Sequence, residues 1–133
     1  MTALKTMFAA LAMMMLFGSA NCAMADERAE LRLALQASMQ RHIDRNMIDD
    51  AFVSIDFESG SLVEFVPTKA HTHILEGEGF FVLCSDMRNS EGKSVPVDYY
   101  MARAGRGYRV FRTEIGNRAP LKAMMKAGKV SKL

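Results

Sequence analysis

Cys84 could act as a nucleophile or as a metal ligand, and the sequence places acidic and phenolic groups close to it. A turn near residue 91 that pairs Arg88 with Ser94 would set Cys84 opposite Asp98 in an antiparallel ladder. Neighbouring carboxylates oppose formation of a thiolate, so this environment favours a buried structural cysteine over a nucleophile. The residues predicted to share a candidate pocket are Cys84, Asp86, Asp98 and Tyr100.

Two imidazoles form a second candidate site, in the segment His71-Thr72-His73. In an extended chain they project from one face about 6 to 7 Å apart, too far to share a metal ion unless the backbone bends. Cys84 or an aspartate could supply a third ligand, but the spacing does not require one. His71 and His73 are therefore weak metal candidates, and the sequence predicts no cofactor.

A basic stripe near the C-terminus is the third candidate. Arg118, Lys122, Lys126 and Lys129 recur at intervals of four, four and three residues, which places them along one side of a closing helix. The stripe could dock phospholipid headgroups, cell-wall polymer or an acidic protein. It could equally face water or the acidic part of its own chain. Because the helix has a small apolar side, contact with an anionic membrane or cell-wall surface would be weak at most.

The charge distribution supports both interpretations of the stripe. Residues 26–98 contain seven basic and fourteen acidic side chains, whereas residues 99–133 contain nine basic and one acidic. Taken together the two segments are close to neutral. A near-neutral chain argues against a nucleic-acid binder, because such proteins neutralise many phosphates.

The N-terminus has the pattern of an export signal. Lys5 precedes an uncharged apolar run from Met7 to Phe17, and Ala23-Met24-Ala25 is a small-x-small cleavage site. The run is shorter than the ~20 residues that a membrane-spanning helix needs. The sequence thus predicts a signal peptide over residues 1–25 and a periplasmic or secreted single domain over residues 26–133. Removal of Cys22 with the leader leaves Cys84 without an internal disulfide partner.

Hydrophobic periodicity predicts a long amphipathic helix from Glu27 to about Ile48. Its apolar stripe has a four-residue spacing and consists of Leu31, Leu35, Met39, Ile43 and Met47. His42 lies beside the stripe and is predicted to be a partly covered packing residue.

Alternating and continuous apolar runs predict strands after this helix. Residues 52–57 and 62–66 form a hairpin that Pro67 closes, and the apolar run 80–84 forms a central strand. Residues 94–103 and 108–115 continue as an antiparallel meander. Asn117 is a candidate cap for a short closing helix, and Gly128 ends it.

The predicted fold class is α+β, with a long N-terminal helix packed on a curved antiparallel sheet of four to five strands and a short C-terminal helix. This layout, over residues 26–115, resembles the cystatin-like and nuclear-transport-factor-2-like α+β rolls in architecture alone. The resemblance implies a sheet that wraps a helix and encloses a small pocket. The chain is also similar to small secreted proteins of Gram-negative bacteria, a likeness that transfers no catalytic residues.

Our leading functional hypothesis is an exported, non-catalytic domain that binds a protein partner or a small ligand, through the sheet concavity or the basic C-terminal helix. The first alternative is a small pocket enzyme that uses Asp98 or Asp86 as a base and Tyr100 to position an apolar substrate. The second alternative is metal capture by His71, His73 and Cys84. Convergence of a tyrosine, Asp98 and a histidine inside one pocket would favour the enzyme.

Overall fold

The computed structural model describes the backbone of residues 19–133, with side chains from Ala23 onward, and it has an α+β architecture. Two helices and seven strands follow one another within this range: α1 (Ser19–Arg45), β1 (Met47–Ile48), β2 (Ala51–Asp56), β3 (Ser61–Gly77), β4 (Phe81–Asn89), β5 (Ser94–Ala104), β6 (Gly107–Ile115), α2 (Ala119–Lys126) and β7 (Val130–Lys132).

Ala34–Leu133 forms one compact unit that contains the whole sheet, α2 and the last part of α1, while the earlier part of α1 belongs to a second unit. Residues 1–18 of the predicted signal peptide lie outside the described residues, so export stays a prediction. In the described range, neither helix is sufficiently long and apolar to cross a membrane.

All strands belong to one antiparallel sheet in the order β1-β2-β3-β4-β5-β6, and β7 pairs with β3. The predicted number of four to five strands is therefore wrong. The two additional strands are short, at two residues for β1 and three for β7, and runs this short carry little periodicity.

The end of α1 explains the first missed strand. The helix stops at Arg45, and the side chain of Asn46 donates a hydrogen bond to the His42 carbonyl oxygen over 2.7 Å. Asp49 and Asp50 then adopt φ values of 49° and 66°, the left-handed conformation of a two-residue hairpin turn. Met47 and Ile48, predicted to be helical, instead pair with β2.

The sequence predicts that Pro67 ends a strand, and this prediction is wrong. Strand β3 continues through Pro67 to Gly77. The register between β3 and β4 shifts twice, between Pro67 and Lys69 and between Ala70 and Ile74. Such irregularities accommodate a residue without an N–H donor and bend the strand. The segment that contains His71 and His73 therefore lies in a bulged part of β3.

The predicted pairing of β4 with β5 is confirmed. Arg88 pairs with Ser94 and Cys84 with Asp98. Asn89 fixes the connecting turn, because its side-chain oxygen accepts hydrogen bonds from the backbone N–H groups of Glu91 and Lys93. A turn held at both ends leaves the two strands only one register.

Successive side chains of β4 lie on opposite faces of the sheet, and both faces are buried. One face is covered by the end of α1, whose Leu35, Met39 and Ile43 are buried as predicted. Ser38 donates a 2.6 Å hydrogen bond to the Tyr108 carbonyl oxygen, which fixes α1 on β6. His42 packs its ring 6.0 Å from that of Tyr99, which confirms its role as a partly covered packing residue.

The opposite face is covered by α2 and β7. An apolar cluster joins these two elements to β3, β4 and β5, and its members are Leu75, Val82, Cys84, Tyr100, Leu121 and Val130. The chain reverses between α2 and β7 at Gly128, whose φ of 65° suits glycine. Its N–H and that of Lys129 bond back to the Met125 and Met124 carbonyl oxygens, which ends the helix as predicted.

Candidate functional site

A cleft of about 600 Å³ opens on the face of the sheet that α2 covers. The bulged part of β3 forms one wall, and α2 with its preceding residue Arg118 forms the other. Cys84 of β4 and Lys132 of β7 complete the lining. The cleft therefore depends on four elements that are distant in the sequence.

Basic side chains dominate the polar part of this lining. They number six, and they are Lys69, His71, His73, Arg118, Lys122 and Lys132. No aspartate or glutamate lines the cleft among the residues that the structure describes. The remaining lining residues are Ala70, Thr72, Leu75, Cys84, Leu121 and Met125. The cleft is thus a cationic site with apolar surfaces.

Arg118 links the cleft to the acidic part of the chain. Its Nη2 donates to Asp98 Oδ1 over 3.0 Å and its Nε donates to Asp98 Oδ2 over 3.3 Å. The Asp98 side chain is 1% exposed and that of Arg118 is 34% exposed. Asp98 is therefore the buried partner of a bidentate ion pair, and it lies behind the cleft rather than on its surface.

Cys84 is held in the thiol form by this environment. Burial raises its pKa to about 12, and the hydrogen bond and charge of Asp98 add to the effect. Arg118 Nη2 lies 3.2 Å from the sulfur and opposes the increase without cancelling it. The prediction that Cys84 is buried is confirmed.

The same ion pair also raises the pKa of the Arg118 guanidinium, and for a basic group a raised pKa favours the charged form. Burial by itself lowers the pKa of Arg118, but the hydrogen bonds and the charge of Asp98 outweigh burial and the pKa is raised. Arg118 therefore remains a cation next to the cleft at any physiological pH.

Asp86 does not line this cleft, but it contacts a histidine that does. His71 Nε2 lies 2.8 Å from Asp86 Oδ2, and both side chains are 29% exposed. Thr68 donates a 2.9 Å hydrogen bond to the Asp86 carbonyl oxygen, which ties the bulge of β3 to β4. These contacts orient the His71 ring in the wall of the cleft.

The two neighbouring tyrosines lie on opposite faces of the sheet. Tyr99 shares a 3.0 Å hydrogen bond with Ser85 on the α1 face, and burial raises its pKa to about 12. Tyr100 belongs to the apolar cluster beneath α2, and its buried hydroxyl makes no hydrogen bond to any described residue. Burial, followed by the charge of Asp98, raises the pKa of Tyr100. Neither tyrosine lines the cleft.

The predicted basic stripe is divided by the fold. The helix covers only residues 119–126, so Arg118 precedes it and Lys129 follows the turn at Gly128. Arg118 and Lys122 line the cleft, whereas Lys126 and Lys129 do not. One continuous helical stripe of four cations was therefore a wrong prediction, because the helix is shorter than the charge pattern.

The predicted metal candidates both line the cleft without forming a metal centre. Across the described part of the chain, no group of three or more histidine, cysteine, aspartate or glutamate side chains could hold a metal ion. His71 contacts Asp86, while Cys84 contacts Arg118. These contacts supply no third ligand.

Sequence reasoning missed several residues of the cleft. The sequence does not indicate Lys69 and Leu75, because Pro67 is predicted to close the strand before them. Lys132 reaches the cleft only through the pairing of β7 with β3. The alternation of Val130, Ser131 and Lys132 after Gly128 was a weak signal for that strand. Met125 belongs to the small apolar side of the closing helix, and nothing in the sequence indicates that it lies next to the cations of the cleft.

Comparisons with protein-family models, with curated proteins and with solved structures found no match to this chain. Its class is therefore defined by its own fold and site. The chain is an α+β protein in which helices cover both faces of an antiparallel sheet, and one of these helices forms a cationic cleft with β3. The resemblance to α+β rolls and to secreted bacterial proteins stays a prediction.

Proposed function

We propose that this chain is a small exported binding domain, without catalytic activity, whose cleft takes a ligand that carries an anionic group. One observation carries the proposal: among the described residues, six basic side chains and no aspartate or glutamate line a cavity of about 600 Å³. Cavities of roughly 300–1,000 Å³ are the usual size for small-molecule sites. Clustered charge of one sign in a concave surface attracts ligands of the opposite sign.

The same observation favours the cleft over the outer surface of α2 as the binding site. Lys122 and Lys126 are one turn apart on α2 and both are exposed. Only Lys122 shares a concave site with other cations and with apolar groups. An isolated exposed lysine contributes little to binding, because water and salt screen its charge.

The enzyme alternative has one supporting observation, the contact of His71, in the wall of the cleft, with Asp86 behind it. The other groups that it requires are engaged elsewhere. Both Asp98 oxygens accept hydrogen bonds from Arg118, and Tyr100 lies in the apolar cluster. Cys84, with a pKa of about 12, holds almost no thiolate at neutral pH. These contacts support binding more strongly than turnover.

Isothermal calorimetry on a panel of three anions tests the proposal: inorganic phosphate, citrate and decanoate. We expect at least one of them to bind with a stoichiometry of one. Lys122→Glu reverses a charge in the cleft and should weaken that binding at least tenfold, equivalent to about 1.4 kcal/mol.

Lys126→Glu is the matched control. It makes the same charge change at an exposed position of the same helix, outside the cleft, so affinity should stay within about twofold of wild type. Equal loss in the two variants would show that binding follows total charge and would reject the cleft as the site. Absence of binding by all three anions would also reject the proposal.

A further inference from the structure

The lining of the cleft also defines the chemical class of its ligand. Resting on the proposed function, we propose that the ligand is an amphipathic anion: one anionic head group attached to a hydrocarbon chain, of the fatty-acid type. Three features of the lining support this class independently. They are the unpaired cations, the adjoining apolar surface and the scarcity of neutral polar groups.

The first feature is positive charge that no carboxylate of the described residues neutralises. Of the six basic groups, Arg118 is paired with Asp98 and His71 contacts Asp86. Lys69, Lys122 and Lys132 form no ion pair with any described residue, nor does His73, and all four side chains are exposed. A single anionic head group can approach these ammonium groups without displacing an internal carboxylate.

The second feature is the apolar surface beside those cations. Leu75 and Leu121 are buried at 8% and 1% exposure, and both line the cleft. Cys84, as a protonated thiol, behaves as a small apolar side chain. Met125 is 51% exposed and lines the same cleft. Because Leu75, Leu121 and Cys84 are already buried, a hydrocarbon chain would chiefly remove the exposed apolar area of Met125 and Ala70 from water, whereas an inorganic anion would leave that area hydrated.

The third feature is the scarcity of neutral polar side chains in the lining, which argues against highly hydroxylated anions as ligands. Thr72 carries the single hydroxyl or amide side chain among the described residues that line the cleft. A sugar phosphate or a nucleotide would bring many hydroxyl and amide groups into a site that offers them few partners, and unpaired polar groups lose their hydration without compensation. A hydrocarbon chain makes no such demand.

Three probes separate charge from apolar character: decanoate carries both, decanol carries the chain alone, and inorganic phosphate carries charge alone. In calorimetry with the full mature chain, decanoate should bind at least tenfold more tightly than decanol or phosphate. Lys122→Glu should weaken decanoate binding at least tenfold and Lys126→Glu less than twofold. Met125→Ser should weaken decanoate severalfold, while Leu62→Ser, at an exposed apolar position outside the cleft, should not.

The outcomes distinguish the ligand class from the existence of the site. Phosphate or citrate binding as tightly as decanoate, with the same dependence on Lys122, would overturn the amphipathic class and leave the anion-binding cleft standing. Failure of all anions would overturn both. Decanol binding as tightly as decanoate would show that charge plays no part and would overturn the class.

Vesicles distinguish a free amphiphile from a membrane surface as the source of this chemistry. Phosphatidylglycerol vesicles present anionic head groups on a flat surface, whereas a free amphiphile can enter a concave site. Sedimentation with these vesicles should be weak. Strong sedimentation that Lys126→Glu reduces as much as Lys122→Glu would assign the anion recognition to the outer surface of α2 and overturn the proposal.

Discussion

The ion pair between Arg118 and Asp98 allows a prediction of stability in which the two partners behave unequally. The Asp98 side chain is 1% exposed, whereas that of Arg118 is 34% exposed. Arg118→Met leaves a buried carboxylate without its guanidinium, and loss of one partner of a buried pair costs about 3–5 kcal/mol. Asp98→Leu leaves a cation that can turn towards water, so we expect the smaller cost of about 1–2 kcal/mol.

A double-mutant cycle completes this test. Replacement of both partners by apolar residues removes the buried charge, so the double variant Asp98→Leu, Arg118→Met should be more stable than Arg118→Met alone by about 2 kcal/mol. The free energy of unfolding is measured by urea denaturation followed by circular dichroism, with unchanged m-values as evidence of an unchanged native fold. An equal or larger loss in Asp98→Leu than in Arg118→Met would refute this reasoning, as would a double variant no more stable than Arg118→Met.

Four further predictions follow from other residues. The pKa of the Cys84 thiol is raised from its ordinary value of 9.0 to about 12 in the folded protein. Iodoacetamide at pH 8 should therefore modify the folded protein about a thousandfold more slowly than the chain in urea. A rate in urea less than tenfold higher than the rate for the folded protein would contradict this. Burial, with a smaller contribution from the charge of Arg45, lowers the pKa of His42 from 6.5. The unfolded chain then binds more protons, so stability should fall as the pH decreases below 6.5, and His42→Gln should reduce that slope; an identical slope in the variant would count against it. Ser38→Ala removes a buried 2.6 Å hydrogen bond and should cost about 1 kcal/mol in urea denaturation, whereas the exposed control Gln40→Ala should cost less than about 0.5 kcal/mol. Intact-mass measurement of the protein from an exporting host should give a chain that starts at Asp26, and the full-length mass would contradict the predicted leader.

Local chemistry in the sequence was sufficient to predict the core of the sheet. Asn89 and the glycine at position 92 fix the turn between β4 and β5, and that turn determines the pairing of Cys84 with Asp98. The side of the N-terminal helix that carries Leu35 was equally predictable, because one periodicity specified both the element and its buried face. In these cases the signal and the structure that it produces lie within a few residues of each other.

The candidate site was predictable only in part, since its residues meet through contacts between distant segments. Cys84, His71 and Lys122 were recognised individually from their types and spacing. Their convergence required β3 to continue beyond Pro67 with a bulge and α2 to lie against it, and neither feature has a periodic signature.

The sequence by itself determined the α+β class, the central antiparallel strands, the buried thiol and the excess of cations after residue 98. Only the tertiary structure decided which cations share a cleft. Helical spacing assigned Lys122 and Lys126 to one stripe, but the turn at Gly128 and the pairing of β7 with β3 place Lys132 rather than Lys126 beside Lys122 in the cleft. The physical reason is that periodicity reports the neighbours within one element, whereas a cleft is formed by side chains that long-range strand pairing and helix packing bring together.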